Sequence, residues 1–348
     1  MKLMDYGLKP IDFQNPTVQA PSDGLSRRGF AVTALATGFA VASNPVLAQA
    51  IVTDSVGLVA GEISIPVADG KIPGYRAMPA KPGNYPVLLV VQEIFGVHQH
   101  IKDLCRRFAK QGYYAIAAEM YARQGDVSKI TDIGEILSTV VSKVPDAQVV
   151  SDLDAAVAFA GASRVGLVGY CWGGRVAWLY AKNNPKLKAA VAYYGLLDGM
   201  QADIRPQDPV DFASALTVPV LGLYAGLDDY TKPAAIDRMT AGLRTSGSGS
   251  EVVVFPNVNH GFNADYRPTY DRTAATYATK LALDWLKEHG AYAKLAPAER
   301  PVAWCGGPFA FKRRASCADN SPCTFHSPKC RARATTLWCS MKPRAAWA

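Results

Sequence analysis

A cysteine set among glycines, a carboxylate and an imidazole are the side chains in this sequence best suited to chemistry. Cys171 lies in Gly169-Tyr170-Cys171-Trp172-Gly173-Gly174, after the short run Val165 to Val168 and before Val176 to Tyr180, which read as the start of a helix. Strand, sharp turn and helix would carry a nucleophile on a strained turn, where the residues two before and two after must lack side chains. A helix N-terminus favours a thiolate there, and the backbone N–H of Trp172 would point toward a developing oxyanion. The competing reading is a buried cysteine in a glycine-rich turn, such as a mononucleotide loop. No third glycine stands at fingerprint spacing and no Lys-Ser/Thr pair follows, which disfavours phosphate binding.

A catalytic thiol needs a base to take its proton and a group to orient that base. Asp228 closes one later apolar run and His260 the next. Gly-x-Cys-x-Gly followed by acid and then histidine is similar to the order in α/β-hydrolases, with sulfur in place of the usual serine oxygen. Each residue alone has a structural reading. Asp228 could cap a helix or shape a turn, and Asp229 could do either job. His260 could be a loop histidine satisfied by backbone, and Glu93 a capping carboxylate. The chain has five histidines; His98 and His100 flank a helix start, and His289 and His326 lie in or beyond the last helix. In order, and each at the end of a strand, the three residues read as catalytic.

The elements that must position them alternate along the chain. Glu62 to Val67 and Gly74 to Ala77 suggest an opening pair of strands. The continuous apolar run Val87–Val91 suggests a strand buried on both faces, and Tyr113–Ala118, Val165–Val168, Ala189–Tyr194, Val218–Ala225 and Val252–Phe255 suggest further strands. Helical spacing joins them: Ile101, Leu104, Cys105 and Phe108 share one face, which makes Cys105 a core residue. Val149, Leu153, Ala156, Val157 and Phe159 share another. Pro233 to Arg244 and a long stretch through Trp285 complete the set. The class is therefore α/β, a mostly parallel sheet covered by helices, with functional groups at the carboxyl ends of the strands. Glu93, Arg123, Cys171, Asp228 and His260 all fall there.

The net charge of +8 is unevenly placed. Residues 301–348 hold eight Lys/Arg and one Asp, leaving 29 basic and 28 acidic side chains in the other 300 residues. A nucleic-acid reading would rest on that tail alone. Five of the seven cysteines also lie in it, and no Cys-x-x-Cys pair marks a zinc or redox site. Residues 301–348 are expected to be a disordered basic appendage. Residues 1–50 read as an address. Ser26-Arg27-Arg28-Gly29-Phe30 heads an uncharged run ending in Ala48-Gln49-Ala50, similar to a twin-arginine export signal; a membrane anchor is the alternative. The expectation is an exported, periplasmic protein that meets a membrane only during export, with its folded domain over residues 51–300.

The body, residues 60–290, resembles the dienelactone hydrolase (carboxymethylenebutenolidase) family. The resemblance rests on Gln92-Glu93-Ile94-Phe95-Gly96, Tyr121-Ala122-Arg123, the cysteine elbow, Tyr193-Tyr194-Gly195, Gly226-Leu227-Asp228 and His260-Gly261-Phe262. It implies the α/β-hydrolase fold, a Cys171-His260-Asp228 triad, no metal and no cofactor. It implies that Glu93 lies beside the thiol and helps switch it to thiolate when an anionic substrate binds. It implies an oxyanion hole from the backbone N–H groups of Ile94 and Trp172, and substrate contacts from Arg123 and Tyr193. The family's second carboxylate-binding arginine falls on Ala264, so Arg267 is the stand-in. Trp172 replaces a smaller aliphatic residue and would reshape the acyl pocket. The expected partner is a small lactone or ester, dienelactone before others, and the expected state is a monomer. A general carboxylesterase or thioesterase, or a non-catalytic thiol sensor, are the alternatives.

Overall fold

The computed structural model describes residues 51–161 and 163–292, all within one compact unit. The expected export signal (1–50) and basic tail (301–348) lie outside the described residues. Eight strands form a single sheet in the order β1-β2-β4-β3-β5-β6-β7-β8. β1 (Leu58–Val67) and β2 (Gly70–Pro79) form an antiparallel hairpin, and β2 is antiparallel to β4 (Tyr114–Ala118). β3 (Val87–Val91), β5 (Val165–Tyr170), β6 (Ala189–Tyr193), β7 (Val220–Ala225) and β8 (Glu251–Phe255) run parallel to one another and to β4.

The run read as buried on both faces, Val87–Val91, behaves as such. Every residue of β3, β5, β6 and β7 is buried, as helix cover on both faces requires. Among the described residues β8 pairs only with β7, and it is partly exposed along its length. The helices are α1 (Gln99–Lys110), α2 (Ile133–Thr139), α3 (Asp146–Ala160), α4 (Trp172–Asn183), α5 (Pro209–Phe212), α6 (Pro233–Ser246) and α7 (Arg272–Glu288). The short helices α2 and α5 carried too few periodic residues to be foreseen. Cys105 is fully buried in α1, as expected.

The inner face of α3 differs from its reading. Val149, Leu153 and Ala156 are buried, but Phe159 is 37% exposed, while Asp146 and Asp152 are buried in its stead. The cause is charge. Arg175 donates to both oxygens of Asp146 at 2.7 and 2.9 Å, and Arg123 donates to both oxygens of Asp152 at 2.7 and 3.0 Å. Buried carboxylates persist when paired in this way. Arg175 sits one turn into α4, so its pair with Asp146 also fixes the helix that follows Cys171. Among the described residues no helix is long and apolar enough to cross a membrane.

Candidate active site

β5 ends at Tyr170 and α4 begins at Trp172, leaving Cys171 alone in the turn with φ 54° and ψ −113°. A side chain at such a φ costs on the order of 1–3 kcal/mol and persists only where its surroundings enforce it. Here they do. The Cys171 N–H donates to the Tyr193 carbonyl at 3.0 Å, and the Gly173 N–H to that of Gln92 at 3.1 Å. The glycines are steric necessities. A Cβ on Gly169 would lie 1.9 Å from the Gly173 carbonyl oxygen, and one on Gly173 would lie 2.5 Å from that of Val91. The sulfur thus stands at the N-terminus of α4, and Trp172, the first helical residue, has no intrahelical acceptor for its N–H.

The loop after β8 brings His260 to the same rim, and the loop after β7 brings Asp228. Nδ1 of His260 lies 2.8 Å from Oδ2 of Asp228. The opposite edge of the ring faces Cys171. Burial alone would lower the His260 pKa. The charges of Asp228 and Cys171 outweigh it and push the ring up to about 10. Asp228 is in turn held by the N–H groups of Tyr230 (2.8 Å) and Thr231 (3.4 Å) on Oδ1. Its neighbour Asp229 has an 83% exposed side chain paired with Lys232, which settles which aspartate orients the ring. Tyr230 and Tyr194 meet the imidazole edge-on, with ring centroids 4.8 and 5.0 Å away.

Glu93 follows β3 and is 0% exposed. Its Oε1 accepts from Arg267 Nη2 at 3.0 Å, and its Oε2 from the Tyr266 hydroxyl at 2.6 Å, with His98 Nε2 at 3.4 Å. Burial opposes its charge, but the Arg267 guanidinium and His98 hold the carboxyl well below the usual carboxylate range. Arg267 is stacked over the rings of Phe95 and Tyr266, 5.2 and 5.3 Å from their centroids, and its Nε donates to the Tyr266 hydroxyl at 3.0 Å. Asp265 pairs with Arg107 and lies 3.2 Å from His100, which ties this loop to α1.

Residues 72–290 match the model of the dienelactone hydrolase family. The chain belongs to that family. Among its relatives, a Methylorubrum extorquens protein carrying the name carboxymethylenebutenolidase is 56% identical over 273 residues, covering 76% of this chain and 94% of the relative. An Escherichia coli K12 protein of the same name is 45% identical over 260 residues, covering 73% and 96%. A crystal structure from Klebsiella pneumoniae, named as a dienelactone hydrolase, is 46% identical with a TM-score of 0.65, covering 66% of this chain and 99% of that one.

In this dienelactone hydrolase family member, Cys171, His260 and Asp228 come together, and Arg267 pairs with Glu93. Ile94 and Trp172 follow β3 and the elbow. Trp172 packs on Tyr121, centroids 5.1 Å apart. Two expected substrate contacts have other partners in the fold. Arg123 is held by Asp69 at 2.6 Å as well as by Asp152, so both sides of its guanidinium are occupied by carboxylates. Tyr193 is inside β6, stacked on Tyr170 at 4.8 Å, with its hydroxyl bonded to Thr279 of α7. Strand alternation sends it away from the rim. Its neighbour Tyr194, past the strand end at φ 38°, turns onto His260 instead. Tyr266 and His98 were not singled out as site residues. Their signals were present in the Asp265-Tyr266-Arg267 triplet and in a histidine two residues beyond Gly96.

Proposed function

We propose that this protein hydrolyses a lactone or ester through a thioacyl intermediate on Cys171. The reading rests chiefly on one observation: His260 presents one ring edge to Asp228 at 2.8 Å and the other to the cysteine of a strained elbow. The proton rests on His260, as its raised pKa favours, and Cys171 Sγ, the thiolate of this thiolate–imidazolium pair, attacks the carbonyl carbon. The oxyanion is received by the backbone N–H groups of Ile94 and Trp172, each donor worth about 2.7–4 kcal/mol in measured oxyanion holes. The C–O bond breaks, and His260 returns the proton to the leaving alkoxide. Water then gives a proton to His260 and its hydroxide attacks the thioester. The C–S bond breaks, and the thiolate is restored beside the protonated ring. Asp228 holds the imidazole in the required tautomer and balances its charge. For dienelactone, the product would be maleylacetate.

The test uses a nitrophenyl ester. It should give a burst of nitrophenolate that iodoacetamide abolishes, and Cys171→Ala should remove turnover. Turnover unchanged in that variant would end the reading. We propose in addition that the enzyme acts in the periplasm, on the strength of Arg27-Arg28 and the uncharged run that follows. Fractionation of cells expressing the full chain, with and without Arg27→Lys/Arg28→Lys, checks it: equal distribution of the two would count against export by that route.

A further inference from the structure

We propose that Glu119, the residue that follows β4, is a positioning residue for the oxyanion hole: its carboxylate fixes both the turn that presents the Ile94 N–H and the aromatic ring that backs Trp172. The inference rests on the hydrolase reading above and adds to it a residue from outside the triad.

The Ile94 N–H sits in a four-residue turn. Glu93 and Gly96 bridge across it, with Ile94 and Phe95 at its tip. Such a turn aims an N–H only as well as its two ends are held, and small misplacements at a reacting centre are costly. The first end is tied to the elbow itself. The Gly173 N–H donates to the Gln92 carbonyl at 3.1 Å, and Gln92 Oε1 accepts from the Met120 N–H at 3.1 Å. The second end is tied by Glu119, whose Oε2 accepts from the Val97 N–H at 2.7 Å. Gly96 has φ 73°, and a Cβ there would lie 2.8 Å from the same oxygen, so the turn rests directly on the carboxylate.

The other oxygen serves the other wall. Glu119 Oε1 accepts from the Tyr121 N–H at 3.2 Å, and the Tyr121 ring packs edge-on against Trp172. One carboxylate thus reaches both donors, Ile94 through Val97 and Trp172 through Tyr121. Charge pairing does not explain its place. Burial pushes the Glu119 pKa up, and what opposes this is the two backbone N–H groups and the Gln92 amide. Among the described residues, the cations lining the adjoining cleft are engaged elsewhere, Lys102 with Glu62 at 2.7 Å and His98 with Glu93 at 3.4 Å. A carboxylate kept there at the expense of desolvation is kept for what it accepts.

Two substitutions separate reach from charge. Glu119→Gln keeps the length and one oxygen for the Val97 N–H. Glu119→Asp keeps the charge but draws it back by one methylene, about 1.5 Å. Turnover of 4-nitrophenyl acetate passes through an oxyanion. Alkylation of Cys171 by iodoacetamide forms none, since Sγ displaces iodide from a saturated carbon. We expect Glu119→Asp to lower kcat by about tenfold or more with KM within about twofold of wild type, and Glu119→Gln to stay within about threefold in kcat. Both should be alkylated at the wild-type rate. Should Glu119→Asp fail to fold, Glu119→Met fills the same volume without acceptors and should show the same split. Wild-type kcat in the shortened or acceptor-free variant would overturn the proposal. So would Glu119→Gln as impaired as Glu119→Asp, or alkylation falling in step with turnover, which would mark a general prop of the site. Cys171→Ala separates the two readings. Turnover surviving in it would end the hydrolase reading, whereas turnover lost there but intact in Glu119→Asp would end this proposal alone.

Discussion

Asp228 grips the Nδ1 edge of His260 at 2.8 Å while its own second oxygen is pinned by the backbone of Tyr230 and Thr231. The ring cannot easily turn, and its other edge faces the sulfur. Asp228→Asn would preserve the shape but favour the wrong tautomer. We expect kcat to fall by about 10³–10⁴-fold, the scale seen for such a change in a serine triad. Circular dichroism should be unaltered, and a loss of less than about tenfold would argue for a different base.

The same pair links stability to pH. His260 keeps its proton up to about 10 in the folded state, against 6.5 for the unconstrained ring. Its contribution is fully present below the unfolded value, where both states bind the proton. It declines as pH rises through that window, because only the folded state still holds the proton, and it is gone above the folded value. Urea midpoints of wild type and His260→Gln should therefore converge between about pH 6 and pH 10. A constant gap would mean that the ion pair is not the cause.

The elbow glycines should tolerate no side chain. Gly169→Ala puts a methyl group 1.9 Å from a carbonyl oxygen of the turn, and Gly173→Ala puts one 2.5 Å from β3. Neither obstacle is a flexible side chain. We expect either change to cost more than about 4 kcal/mol, read as insoluble protein or a collapsed melting temperature. Soluble Gly169→Ala with wild-type melting would show that the turn is looser than described.

Arg123 should matter to folding and not to substrate. Its removal leaves Asp152, whose side chain is 1% exposed, without its cation. The cost of an uncompensated buried charge is about 3 kcal/mol, lowered here by water at the open side of the pair. Denaturant titration of Arg123→Ala should show that loss, while KM for a neutral ester stays at its wild-type value. A raised KM with unchanged stability would return this residue to the binding site.

Much of the architecture was legible because its strands are buried on both faces. Runs such as Val87–Val91 and Val220–Ala225 have few other uses in a chain of this composition. Cys171, Asp228 and His260 were legible because an elbow leaves a glycine signature and the other two occupy strand ends. What sequence hid was partnership. Nothing local says that Arg123 will meet Asp69 and Asp152, since those contacts join a hairpin turn to a helix far along the chain. Nor does a pair of adjacent tyrosines reveal which one turns outward; that depends on where β6 stops. Tyr266 and His98 lie in different segments that meet only around Glu93.

The imidazole is supplied by the loop that leaves β8, which among the described residues is an edge strand with a neighbour on one side only. On the mechanism proposed above, a chain that had assembled everything inward of that strand would already own its sulfur, its acid and its helix N-terminus, yet be inert. Turnover recovered during refolding is therefore a reporter for the arrival of the sheet's last edge, a clock that no bulk spectroscopic signal supplies.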